Sequence, residues 1–158
     1  MPGVAIPKLS IGQQDHIGLT GANGLGKTTV MNALLDSMPE DLPHLIVQQQ
    51  TGEAALSQTM RRLAALHGKE RSQVLAAFAQ LNADPDKLLS NEAPSPGELR
   101  KLMLCLGILD RPQLIVMDEP TNYLDLESKV ALARCLADYP GALVVASHDE
   151  WFLDQVVR

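Results

Sequence analysis

Short apolar runs alternate along the chain with longer stretches whose apolar residues return every three or four positions. That alternation predicts an α/β domain with a mainly parallel sheet flanked by helices. "HIGLTG" (16–21) predicts a short strand running into a glycine-rich loop, and "TTVMNALLDSM" predicts a helix that stops before Pro39. "HLIVQ" (44–48) predicts a second strand. From Glu53 to about Asn82 the chain is rich in alanine and leucine at helical spacing, with a break at Gly68, so a small helical insert is expected within about 53–94. Beyond the proline-rich "NEAPSPGE" (91–98), "GELRKLMLCLGILD" predicts a helix largely buried on one side. "PQLIVMDEP" (112–120) predicts a buried strand ending in acids, and "LESKVALARCLADY" an amphipathic helix closed by Pro140–Gly141. "ALVVASHD" (142–149) is a further buried strand and "EWFLDQVV" a last helix. No repeat, low-complexity tract or linker interrupts the series, so 1–158 reads as a single domain.

Composition narrows the function classes. A formal charge of −6 argues against a broad basic face for nucleic acid, though not against a local contact. Cys105 and Cys135 both fall in apolar helical patterns, the pattern of a reduced cytoplasmic core and not of a disulfide framework. No apolar run approaches the roughly 18 residues of a membrane span, and the first residues lack a signal peptide's basic-then-apolar order.

The chemistry concentrates in two places. Gly21 to Thr28 fits G-x-x-x-x-G-K-[ST], preceded by an apolar strand and followed by a helix. Glycines at Gly21, Gly24 and Gly26 let successive backbone N–H groups, including that of Asn23, turn inward around phosphate oxygens, and the helix beyond presents its N-terminus to the anion. Lys27 then neutralises phosphate charge, Thr28 offers a hydroxyl to Mg²⁺, and Thr29 extends the donor set. The second place is "LIVMDE", where four apolar residues end in Asp118 and Glu119. The expectation is that this strand lies beside the loop strand, bringing Asp118 to the magnesium and Glu119 to a water attacking the γ-phosphate.

In this order the motifs resemble those of the ABC (ATP-binding cassette) ATPases, over nearly the whole chain. "GANGLGKTT" is similar to their Walker A and "LIVMDE" to their Walker B with its catalytic glutamate. "LIVQQQ" resembles the strand end that carries the Q-loop, which implies Gln49 as a magnesium and water ligand, with Gln48 or Gln50 as register alternatives. "PSPGE" (94–98) stands where the family has its signature, with Ser95 and Gly97 matching; "LD" at 124–125 resembles the D-loop and "SHD" at 147–149 the H-switch. The resemblance implies a P-loop NTPase core, ATP and Mg²⁺ as ligands, Glu119 as general base, and His148 as the side chain that contacts the γ-phosphate. It also implies a second cassette, bound head to tail, to which Ser95 and Gly97 contribute in trans and Asp125 adds a subunit contact.

"DEPTNYLDL", "SPGELRKL" and "YPGALVVASHDEWFL" are most similar to the second cassette of the soluble ABC-F branch. That branch implies a cytoplasmic factor associated with the ribosome, acting in translation or in antibiotic resistance. The rival expectations are the nucleotide-binding subunit of a membrane transporter, and a binding module without turnover of its own. Pro94, Pro96 and Glu98 depart from the family's signature, and no aromatic residue precedes Phe78 to stack on adenine. With only 20 residues ahead of Gly21, and an end at Arg158 inside the last helix, the expectation is a cassette trimmed at both edges.

Overall fold

The computed structural model describes residue 8 and residues 10–21, 26–49 and 51–158; Asn23, Gly24 and Gln50 lie outside the described residues. The elements follow the expected order. They are β1 (His16–Leu19), α1 (Lys27–Ser37), β2 (His44–Val47), α2 (Glu53–Ala65), α3 (Gly68–Gln80), α4 (Pro85–Leu89), α5 (Pro96–Ile108), β3 (Leu114–Asp118), α6 (Leu126–Ala137), β4 (Ala142–Ala146) and α7 (Glu150–Val156). The insert thus holds α2, α3 and the short α4, which Pro85 starts and Asp84 caps by accepting from the Asp86 N–H.

The four strands are all parallel, in the order β1-β4-β3-β2. This corrects the expectation that β3 lies beside the loop strand: β4 stands between them, with Val144 in register with both Ile17 and Val116. The reason is burial. β4 is buried at all five positions and β3 at four, whereas β1 and β2 each bury only one residue. Strands that are apolar on both faces belong in the middle of a parallel sheet, and the half-polar strands take its edges.

The strand period of two divides the core. Ile115, Met117, Leu143 and Val145 face a large cluster with Phe78, Leu102, Leu136 and Phe152, contributed by α3, α5, α6 and α7. Leu114, Val116, Ala142, Val144 and Ala146 face the opposite way, onto Met31 of α1. Truncation of a fully buried aromatic such as Phe152 to alanine costs about 3–5 kcal/mol in such a core. Helix α5 is buried almost all round, not on one side as its periodicity suggested, and Arg100 and Lys101 are buried with it. Cys105 and Cys135 are free thiols, and burial pushes the Cys105 thiol up to about 12.

Candidate active site

The carboxyl ends of three strands meet at one place. β1 runs into Gly21, and at Gly26 the backbone turns into α1 with a φ of 93°, a left-handed geometry that glycine adopts without strain. Lys27 is therefore the first residue of α1, held beside the strand ends. The Ser147 N–H donates to the Leu19 carbonyl, and the Glu119 N–H donates to the Ala146 carbonyl at 2.8 Å. These bonds extend the sheet by one residue past β3 and β4, and so bring Glu119 and His148 beside the start of α1.

There the side chains close on one another. Lys27 Nζ lies 2.7 Å from Glu119 Oε1, and His148 Nδ1 lies 2.9 Å from Glu119 Oε2. The Glu119 side chain is 3% exposed and that of Lys27 9%, whereas the His148 side chain is 55% exposed. Burial pushes the Glu119 carboxyl up, but the hydrogen bond and charge of Lys27, then those of His148, outweigh it and hold Glu119 below its ordinary value. Asp118 goes the other way: burial raises it, the neighbouring Glu119 charge raises it further, and Lys27 only partly opposes. The two adjacent carboxyls are thus shifted in opposite directions, Asp118 up and Glu119 down.

Thr28 and Thr29 are exposed at the start of α1. Gln48 and Gln49 are exposed just past β2, the strand beside β3 on the far side from β1. Among the described residues, Gln49 makes no hydrogen bond to Lys27, Glu119 or His148. The donor set suits Mg²⁺ that arrives with a nucleotide: hard oxygen ligands from Thr28 and Asp118, and too few protein groups to cage an ion without substrate phosphates. Consistent with that, the described residues hold no group of three or more histidine, cysteine or acidic side chains able to bind a metal unaided. At the N-terminus of α1, Gly26 has no side chain to occupy the first amides, which suits an anion. A large cleft of about 890 Å³ lies elsewhere, lined by Ile11, Met38, Leu114 and Ala142 at the amino ends of the strands. In parallel α/β sheets ligands bind at the carboxyl ends, so the converging side chains locate the site better than the cleft does.

Ser95, Gly97 and Asp125 form a separate group. Ser95 caps α5: its Oγ accepts from the Glu98 N–H at 3.1 Å, while Glu98 Oε1 accepts from the Ser95 N–H at 3.2 Å. This reciprocal box gives Glu98 a local role, and Pro96 at the first helical position removes an N–H that the helix does not use. A Cβ at Gly97 would stand 3.2 Å from the Tyr123 carbonyl oxygen and 3.3 Å from the Leu124 side chain, so a larger residue there would push α5 and the turn after β3 apart by a few tenths of an ångström. Asp125 caps α6, its Oδ1 accepting from the Ser128 N–H at 2.8 Å.

Sequence reasoning missed the two cations behind this group. Arg100 is buried, donating to the carbonyl oxygens of Glu119, at 2.9 Å, and of Asn122. Lys101 donates to Ser128 Oγ at 2.7 Å and to the Asn82 carbonyl at 3.3 Å, which joins the insert to α5 and α6. The signal was present as a basic pair in the otherwise apolar "LRKLMLCLGIL".

The ABC transporter family model matches residues 5–122. Among curated proteins, YdiF of Bacillus subtilis is 32% identical over 156 residues, covering 90% of this chain and 24% of its own length. The energy-dependent translational throttle protein EttA of Haemophilus influenzae is 29% identical, over 89% of this chain and 34% of its own length. The chain thus spans about a quarter to a third of these relatives. A solved dimeric ATP-binding cassette in a post-hydrolysis state, bound to ADP and Pi, shares the fold with a TM-score of 0.68 at 19% identity, over 94% of this chain and 81% of that one. The chain belongs to the ABC transporter family of ATP-binding cassettes, with relatives of the ABC-F type that its motifs resemble.

Proposed function

We propose that the chain binds and hydrolyses ATP as one half of a two-cassette unit, in a cytoplasmic ABC-F type factor that acts on the ribosome in translation or antibiotic resistance. The observation that carries the enzymatic reading is the double hold on Glu119, by Lys27 from the start of α1 and by His148 from just past β4. Arriving β- and γ-phosphates compete with Glu119 for Lys27, while Gly21 to Thr29, Asn23 and Gly24 included, bind them. Thr28, Asp118 and Gln49 would hold Mg²⁺, which would supply positive charge to the bound phosphates. Released from Lys27, the Glu119 carboxylate takes a proton from the attacking water, and His148 contacts the γ-phosphate. Ser95 and Gly97 act on the nucleotide of the second cassette and Asp125 on the contact between the two. The likeness to the translational throttle protein supports the ribosomal assignment. No helix among the described residues is long and apolar enough to cross a membrane.

ATP turnover per chain against protein concentration, with Glu119→Gln as control, tests this. Turnover that rises with concentration and disappears in the variant is expected. Magnesium-dependent binding with no turnover at any concentration would leave a binding module in place of an enzyme.

A further inference from the structure

We infer that Arg100 is a positioning residue for Glu119: it reaches from α5 and holds the backbone of the Glu119–Asn122 turn in the one shape that aims the Glu119 carboxylate at Lys27 and His148. Its consequence for turnover rests on the ATPase reading; its geometry does not.

The turn has to be held. Glu119 has a φ of 47° and Tyr123 one of 66°, both left-handed and both disfavoured for residues with a Cβ. Such conformations persist only where the surroundings over-determine them. Within the turn, the Asn122 N–H donates to the Glu119 carbonyl at 3.2 Å and the Leu124 N–H to the Thr121 carbonyl at 3.2 Å. Arg100 adds two bonds from outside, to the carbonyls of Glu119 and Asn122, and its guanidinium lies 5.7 Å from the centre of the Tyr123 ring. One planar fork therefore spans the whole turn, which a lysine could not do.

The cost of placing it there points the same way. Arg100 is 4% exposed, between Leu99 and Leu102 on an apolar helix, and no carboxylate forms an ion pair with it among the described residues. Its Nε is buried without a hydrogen-bond partner. An apolar side chain of similar volume would be easier to bury, so packing alone does not account for an arginine. What only the arginine supplies is the grip on two carbonyls, one of them belonging to the proposed base. Because Gly97 packs on the same turn, Arg100 also makes the start of α5 and the base a single body.

The test compares R100M and R100K with the intact chain by three readouts: the imidazole NMR signals of His148 without nucleotide, kcat and KM for ATP, and Tm. His148 reports on the Glu119 carboxylate because its Nδ1 is bonded to Oε2. R100M is expected to remain folded and to move the His148 signals in the direction that E119Q moves them. With KM unchanged, kcat should fall on the order of 10²-fold, the usual effect of an ångström-scale misplacement. R100K, able to reach one carbonyl, should recover part of both. His148 signals and kcat at the level of the intact chain in R100M would overturn the inference. So would parallel loss of Tm, ATP binding and kcat in both variants, which marks a packing role only. If R100M does not fold, R100K decides: an intermediate shift and rate support the inference, intact values overturn it. Should the intact chain show no turnover, the ATPase reading fails for this chain alone, and the His148 signals still decide the role of Arg100.

Discussion

Lys27 and Arg100 approach Glu119 from opposite ends of the same residue. Lys27 takes the carboxylate, at 2.7 Å, and Arg100 takes the main-chain carbonyl, at 2.9 Å. The first contact pairs two charges, both of which have another use in the proposed reaction: a phosphate would displace the carboxylate from the ammonium, and a water would then reach the carboxylate. The second pairs a charge with a backbone dipole that no ligand replaces. The same difference runs through the surroundings. Around Lys27, the partners are side chains at strand ends, with His148 open to solvent. Around Arg100 and Lys101, they are backbone carbonyls and the buried Ser128 hydroxyl, between packed helices. A site that must exchange ligands is built from side-chain pairs, and the frame beneath it from side chains clamped onto backbone.

Substitutions can break that contrast in order of size. Glu119→Gln should lower ATP turnover by about 10²–10⁴-fold, the range for loss of a positioned base, while magnesium-dependent ATP binding persists. Stability of the nucleotide-free chain should hold as pH falls. Burial raises Glu119, but Lys27, then His148, outweigh it and depress the carboxyl, so the stabilisation is fully present above the ordinary carboxylate value and is lost as pH falls through its own lowered value. A Tm that drops already at the ordinary value would show that the Lys27–Glu119 pair does not hold in solution.

Lys27→Ala should weaken ATP binding by about 10–100-fold, the worth of a hydrogen bond to a charged group, as read by titration calorimetry. Unchanged affinity would mean that Lys27 stays on Glu119 when nucleotide binds, and the exchange described above would be wrong. Ser95→Ala opens one half of the capping box and should cost about 1 kcal/mol, seen as a lower Tm, with ATP binding by the same chain unaffected. Lys101→Met should change stability least, by about 1 kcal/mol or less in either direction. It removes the burial cost of an ammonium together with its bonds to Ser128 and Asn82. A large loss there would place Lys101, with Arg100, among the residues on which the frame depends.

The kinds of element and their order were legible in the sequence because hydrophobic period is a local property: "LIVMDE" and "ALVVASHD" read as buried strands, and Gly21 to Thr28 as a loop into a helix, without knowledge of neighbours. Lys27 and Glu119 were marked by the glycine loop and by the strand ending in acids, and His148 by the resemblance to the ABC ATPases. Tertiary structure alone decided that β4 separates β1 from β3, since the strand that buries both faces takes the centre whatever its place in the chain. It alone joined Lys27 to Glu119 across 92 positions of sequence and His148 to Glu119 across 29. It also turned a basic pair in an apolar helix into a clamp. Where a buried cation finds its partners depends on which carbonyls packing leaves unpaired, and that is settled only when helices and strands meet.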